Sequence, residues 1–99
     1  MRRGTTPTVT FTIPVDCENL EAADITFSNP GGAFISKGMD DMTKVGNKIS
    51  VRLTQEETLA FRANSKVMIQ CAIRVSNGTG MRSKIHEEPV EDALKGVPV

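Results

Sequence analysis

Val67-Met68-Ile69-Gln70-Cys71-Ala72-Ile73-Arg74-Val75 alternates without a break. Val67, Ile69, Cys71, Ile73 and Val75 make one row, and Met68, Gln70, Ala72 and Arg74 make the other. Successive side chains of a strand point to opposite faces, so this stretch reads as a β-strand with its apolar row buried. Asn77-Gly78 follows it, the pair preferred in a type I′ hairpin turn. Met81 to Glu87 then returns, with Met81, Ser83 and Ile85 on the inner row and Arg82, Lys84 and His86 on the outer. Pro89 closes that strand because it has no N–H to donate. Val90 to Leu94 reads as one helical turn, ahead of a loose tail over 95–99.

Toward the N-terminus the period changes. Thr54-Gln55-Glu56-Glu57 has the capping-box pattern, in which Thr54 caps a helix and Glu57 reaches back to it. A short helix over 55–61 is expected to carry the chain from one sheet to the other, with Leu59 turned inward and Asn64 as its stop. Ahead of it, Met42–Val45 and Lys48–Leu53 flank Gly46-Asn47, which suits a type II′ turn. Ile49, Val51 and Leu53 form the inward face of the second arm. Ala23–Ser28 and Ala33–Lys37 flank Asn29-Pro30-Gly31-Gly32, where proline presets φ and glycine allows φ > 0. Ala23, Ile25 and Phe27 turn inward on the first of these, and Gly38-Met39-Asp40-Asp41 reads as a further turn. Thr8–Ile13 alternates strictly, with Val9, Phe11 and Ile13 inward, after an N-terminal arm of residues 1–6. About seven short strands and one corner helix predict an all-β, immunoglobulin-like two-sheet antiparallel sandwich, a single domain over 1–99.

Composition narrows the function classes. The chain has 99 residues, too few for a second core. Twelve Lys plus Arg balance twelve Asp plus Glu, which argues against a general nucleic-acid binder. The four aromatics are all Phe, so the usual Trp or Tyr platform for stacking sugars or bases is missing. Arg2-Arg3 is followed by no apolar signal core, and no run is long enough to span a membrane, so folding in the cytoplasm is expected. Cys17 falls in a loop and Cys71 in the central strand, with no Trp beside them. They read as two reduced thiols rather than an immunoglobulin-type bridge.

No catalytic constellation emerges. His86, the one histidine, lies beside Glu87 and Glu88 with no nucleophile tied to it by spacing, and reads as a surface residue. Asp40-Asp41 lacks the alternating ligands and closing Glu of a calcium loop. Gly31-Gly32 and Gly78-Thr79-Gly80 lie between strands, with no following helix to make a phosphate loop. Glu87-Glu88 and Glu91-Asp92 form an acidic cluster that suits solvent or a basic partner. No enzyme activity, cofactor or metal is expected.

What remains is contact. Met68, Gln70, Ala72 and Arg74 on the outer row of the central strand, with Arg82 across the hairpin, form a candidate interface. An apolar residue on an outer sheet face suits cover by another subunit, and open sheet edges need protection, so a homo-oligomer is expected. Arg52, Arg62, Arg74, Arg82 and Lys84 would make a basic patch only if one face gathered them.

Three segments carry a resemblance. Arg2-Arg3-Gly4-Thr5-Thr6-Pro7-Thr8-Val9-Thr10-Phe11 matches an opening of the form RRGTTPT-x-TF. Leu53-Thr54-Gln55-Glu56-Glu57-Thr58-Leu59-Ala60-Phe61 contains LTQEET-x-x-F, and Val67 to Val75 with Asn77-Gly78-Thr79 and Ser83 matches a closing hairpin. In these the chain resembles a small phage or prophage protein family of Gram-positive gut bacteria, similar to the N-terminal sandwich domain of siphophage upper baseplate proteins. The resemblance implies a structural role beside other phage proteins of the tail or baseplate. It implies assembly in the bacterial cytoplasm and then a place in the virion, and it carries no catalytic residues. The alternative from a different class is a carbohydrate or host-surface binding module that works through its end loops.

Overall fold

A computed structural model describes all residues, Met1 to Val99. It is an all-β sandwich of two antiparallel sheets built from eight strands. These are β1 (Thr8–Thr12), β2 (Leu20–Ser28), β3 (Phe34–Gly38), β4 (Thr43–Val45), β5 (Lys48–Arg52), β6 (Ser65–Val75), β7 (Gly80–Arg82) and β8 (His86–Val90). The smaller sheet runs β1-β5-β4, and the larger runs β3-β2-β6, with β7 and β8 both paired to the far side of β6. The chain changes sheet three times, each time at a helical turn: Cys17–Asn19, Met39–Asp41 and the one α-helix, α1 (Gln55–Leu59). The expected corner is therefore present, two residues shorter than the 55–61 span. Thr54 Oγ1 accepts from the Glu57 N–H at 3.1 Å, and the Thr54 N–H donates to Glu57 Oε1 at 2.8 Å, completing the capping box.

The alternation of β6 decides the packing. Val67, Ile69, Cys71, Ile73 and Val75 are all buried and join Ile25 and Phe27 of β2, Ile49 and Val51 of β5, and Leu53 in one core. Val9 and Phe11 are only half-buried because β1 is the edge of the smaller sheet. Phe61, past the end of α1, fills the core more completely than Leu59, which is half-buried. Thr58 is buried as well. Its hydroxyl donates to the Thr5 carbonyl at 2.9 Å and accepts from the Gly4 N–H at 3.0 Å, fastening the arm to the helix.

The turns separate into one corrected type and two as expected. Gly31 has φ +78° with the Gly32 N–H on the Asn29 carbonyl, and Gly46 has φ +59° with Asn47 outside the left-handed region. At Asn77-Gly78 a type I′ turn would need positive φ at both residues, yet only Gly78 has it, at +90°. The Gly78 N–H closes on the Val75 carbonyl, and the Val75 N–H bonds the Thr79 carbonyl. This is the three-residue loop ending in a left-handed glycine, which gives the hairpin one residue more than the type I′ form.

The returning strand departs furthest from the alternating pattern. Arg82 pairs with Ala72, but His86 pairs with Ile69, so one extra residue lies between β7 and β8. A one-residue slip turns every later side chain to the other face. His86, Glu88 and Val90 therefore take the sandwich side, while Ile85 is expelled and stands 58% exposed. The cause is Ser83. Its N–H bonds the Cys71 carbonyl as a strand partner should, but its side-chain Oγ takes the Cys71 N–H at 3.0 Å, and its own carbonyl is left to Gln70 Nε2 at 2.8 Å. Pro89 consequently lies within edge strand β8 rather than closing it, and Val90, read as helical, is a buried core residue.

The edge strand β3 points a charge inward. Lys37 Nζ meets Glu57 Oε2 at 2.7 Å, both side chains largely covered. Burial pushes the Glu57 carboxyl up, but the Lys37 ammonium and the Thr54 N–H and hydroxyl outweigh it and hold the group below its ordinary value of 4.5. A carboxyl depressed in the folded state stabilises the fold above its unfolded pKa and loses that contribution as pH falls through the folded one. Denaturant midpoints measured against pH are thus expected to drop below the ordinary value of 4.5, and Lys37→Met should flatten that drop. An acid limb as steep in Lys37→Met as in the native chain would contradict it.

Candidate interaction face

The larger sheet has one face on the core and one open. Register fixes what the open face presents. Phe34, Ser28, Met68 and Glu87 lie in one row across β3, β2, β6 and β8. Ser36, Thr26 and Gln70 form the next, then Gly38, Asp24, Ala72 and Arg82, then Ala22, Arg74 and Gly80. All five candidate interface residues, Met68, Gln70, Ala72, Arg74 and Arg82, therefore share this face.

The face has relief. Met68, Gln70 and Arg82 join Thr26, Phe34 and Ile85 around a hollow of about 390 Å³. Ala72, Arg74 and Arg82 join Ala22, Asp24 and Gly80 around another of about 660 Å³. Arg82 belongs to both. Phe34 is 71% exposed at one side of the first hollow and Ile85 rises at the other, with Met68 between them. Alternation alone could not mark these two apolar residues. Ile85 reaches the face through the Ser83 irregularity, and Phe34 is set there by pairing with Ser28.

The polar groups of the face differ in freedom. Gln70 is held by the Ser83 carbonyl, Arg74 reaches Glu21 at 3.3 Å, and Lys66 reaches Glu87 at 3.4 Å. The Arg82 guanidinium makes neither a hydrogen bond nor an ion pair within the chain. A guanidinium with no internal partner keeps its fork of donors for a carboxylate or a carbonyl row. Arg74 shares the larger hollow with it, but Arg52 and Arg62 do not join them. Arg52 lies on β5 bonded to the Thr6 hydroxyl, and Arg62 bonds the Pro30 carbonyl.

No protein-family model matches the chain, and no curated protein matches it. The assignment of this face therefore rests on its own chemistry.

The remaining candidate groups are distributed elsewhere. Turned by the irregularity to the sandwich side, the His86 ring meets Phe11 edge-on, with centroids 5.6 Å apart. Cys17 and Cys71 are both free thiols. Burial, with the nearby Asp24 charge, pushes the Cys71 thiol up to about 11, so it stays protonated and acts as a small core residue. The acidic cluster meets the chain's own arm: Arg2 pairs with Glu91 at 2.8 Å and Arg3 with Asp92 at 2.7 Å. The Arg3 guanidinium and the Ala93 N–H hold the Asp92 carboxyl below its usual range. No three His, Cys, Asp or Glu side chains come together as metal ligands, and no helix is long and apolar enough to cross a membrane.

Proposed function

We propose that this chain is a structural or assembly protein of a phage or prophage particle, associated with its tail or baseplate and working by protein–protein contact. The observation that carries the contact reading is the open face of the larger sheet. There Phe34, Met68 and Ile85 expose apolar surface beside an unengaged Arg82. Aromatic, Met and Arg side chains are the residues enriched where proteins meet. The particle setting rests on the resemblance of the opening segment, the Leu53–Phe61 segment and the closing hairpin, and it places the chain first in the bacterial cytoplasm and then in the virion.

The test is to purify particles from cells carrying a tagged copy, then locate the tag by immunogold electron microscopy. Label at one end of the tail is expected. A double variant, Phe34→Ser with Arg82→Glu, changes only exposed side chains, so its thermal midpoint should stay close to the native one while incorporation falls at least about tenfold. Particles that never contain the chain would overturn the reading. Saturable binding to a glycan array by such a particle-free chain would support the carbohydrate-binding alternative instead.

A further inference from the structure

Sheet edges are templates for pairing, and most edges of this molecule are blunted. Edge β3 buries Lys37 beneath it, β4 and β7 are three residues long with Lys44 and Arg82 in them, and β8 contains Glu87 and Pro89. The exception is β1, Thr8-Val9-Thr10-Phe11-Thr12, which has five residues with no charge, no proline and no irregularity.

Its register with β5 sets the direction of its free groups. The Leu53 N–H donates to the Pro7 carbonyl, and the Ile13 N–H to the Asn47 carbonyl. In an antiparallel ladder bonded pairs alternate with unbonded ones, so Val9 and Phe11 also turn their backbone groups toward β5. Thr8, Thr10 and Thr12 turn theirs to the open side, and no turn or loop bond uses them.

We propose that two copies of this chain pair antiparallel through β1, about a twofold axis at Thr10. In that register Thr10 meets the second copy's Thr10, and Thr8 meets the second copy's Thr12. These are three bonded pairs, each exchanging two backbone hydrogen bonds, and every free group of the edge is satisfied. The same register sets Phe11 beside the second copy's Val9 at an unbonded position, where side chains approach most closely. Phe11 needs such cover. It is half-buried and borders an opening of about 290 Å³ between the sheets, with Ile13, Cys71, Ile73 and Met81. No charge lies anywhere in the paired segment, so the symmetric contact sets no like charges opposite each other. The result is one continuous six-stranded sheet, β4-β5-β1 and its twofold copy. This pairing stands apart from the particle reading and from the open face.

Sedimentation velocity over a concentration series reaching about 1 mM tests it. A reversible monomer–dimer equilibrium is expected. Thr10 is exposed, and Thr10→Lys sets two ammonium groups opposite each other on the axis, so the dissociation constant should rise roughly tenfold or more with an unchanged circular dichroism spectrum. In a Cys17→Ser background, Thr10→Cys should oxidise to a cross-linked dimer, since bonded antiparallel partners have Cα atoms about 5.5 Å apart. Thr8→Cys, whose copies lie at opposite ends of the contact, should not. A chain monomeric throughout the series, or a dimer equally tight in Thr10→Lys, would overturn the proposal. So would a dimer broken by Arg82→Glu alone, which would move the contact to the open face and leave the particle reading standing.

Discussion

Phe27→Ala is expected to cost about 3–5 kcal/mol, a large share of the roughly 5–15 kcal/mol that holds a small domain together. Phe27 is completely buried near the C-terminal end of β2, paired with Ile35 on one side and Ile69 on the other. Truncation removes the apolar surface and leaves a cavity whose lining belongs to ordered strands, so the site has little room to collapse. A domain of this length loses about 4–8 °C of thermal midpoint per kcal/mol, and the variant should melt roughly 15–30 °C lower. Phe27→Leu keeps most of the volume and should recover more than half of the loss. Urea denaturation with the two variants measures both quantities. A cost below about 1 kcal/mol for Phe27→Ala would mean that the two sheets are not packed on this ring.

Asn29→Ala should produce the second-largest loss, about 2–4 kcal/mol, although it removes a residue that composition marks only as part of a turn. Asn29 is 3% exposed. Its Nδ2 donates to the Lys66 carbonyl and to Ser65 Oγ, each at 2.8 Å, and its Oδ1 accepts from the Arg62 N–H at 2.7 Å. One side chain therefore ties the β2–β3 turn both to the segment between α1 and β6 and to the start of β6 itself. Alanine would leave the Arg62 N–H and the Lys66 carbonyl unpaired in a covered site, and each such orphan costs about 1–3 kcal/mol. The local signature is faster hydrogen exchange at Arg62, measured alongside the denaturation midpoint. Gly32→Ala strikes the same node from the other side. A Cβ there would lie 2.0 Å from Asn29 Oδ1 and 3.2 Å from the Ala60 carbonyl, so the amide would have to shift. If both variants melted like the native chain, the asparagine would not be the joint between turn and strand.

These two positions differ in how much of their role the sequence alone reveals. Phe27 lies in an alternating run, and the same regularity that exposes β6 also assigns Phe27 to the core. Asn29 sits beside Pro30 and Gly31, where its type already accounts for a turn; nothing local says that its amide is matched to groups over thirty residues away. The open face divides in the same manner. Met68, Gln70, Ala72 and Arg74 follow from the period of one strand, but Phe34 and Ile85 join them only through pairing between strands.

Alternation and local chemistry are properties of neighbouring residues, so the sequence by itself determined the strands around Phe27 and Ile69, the Thr54–Glu57 cap, the left-handed Gly31 and Gly46 turns and the two-sheet class. Where β8 resumes its pairing is another matter. It depends on Ser83 Oγ, rather than the Ser83 carbonyl, taking the Cys71 N–H across the hairpin. That competition between a side chain and a backbone acceptor exists only once the two strands are side by side, and it shifts the register by one residue. Tertiary structure alone therefore decided that Val90 is buried, that Ile85 is exposed, and that His86 faces Phe11.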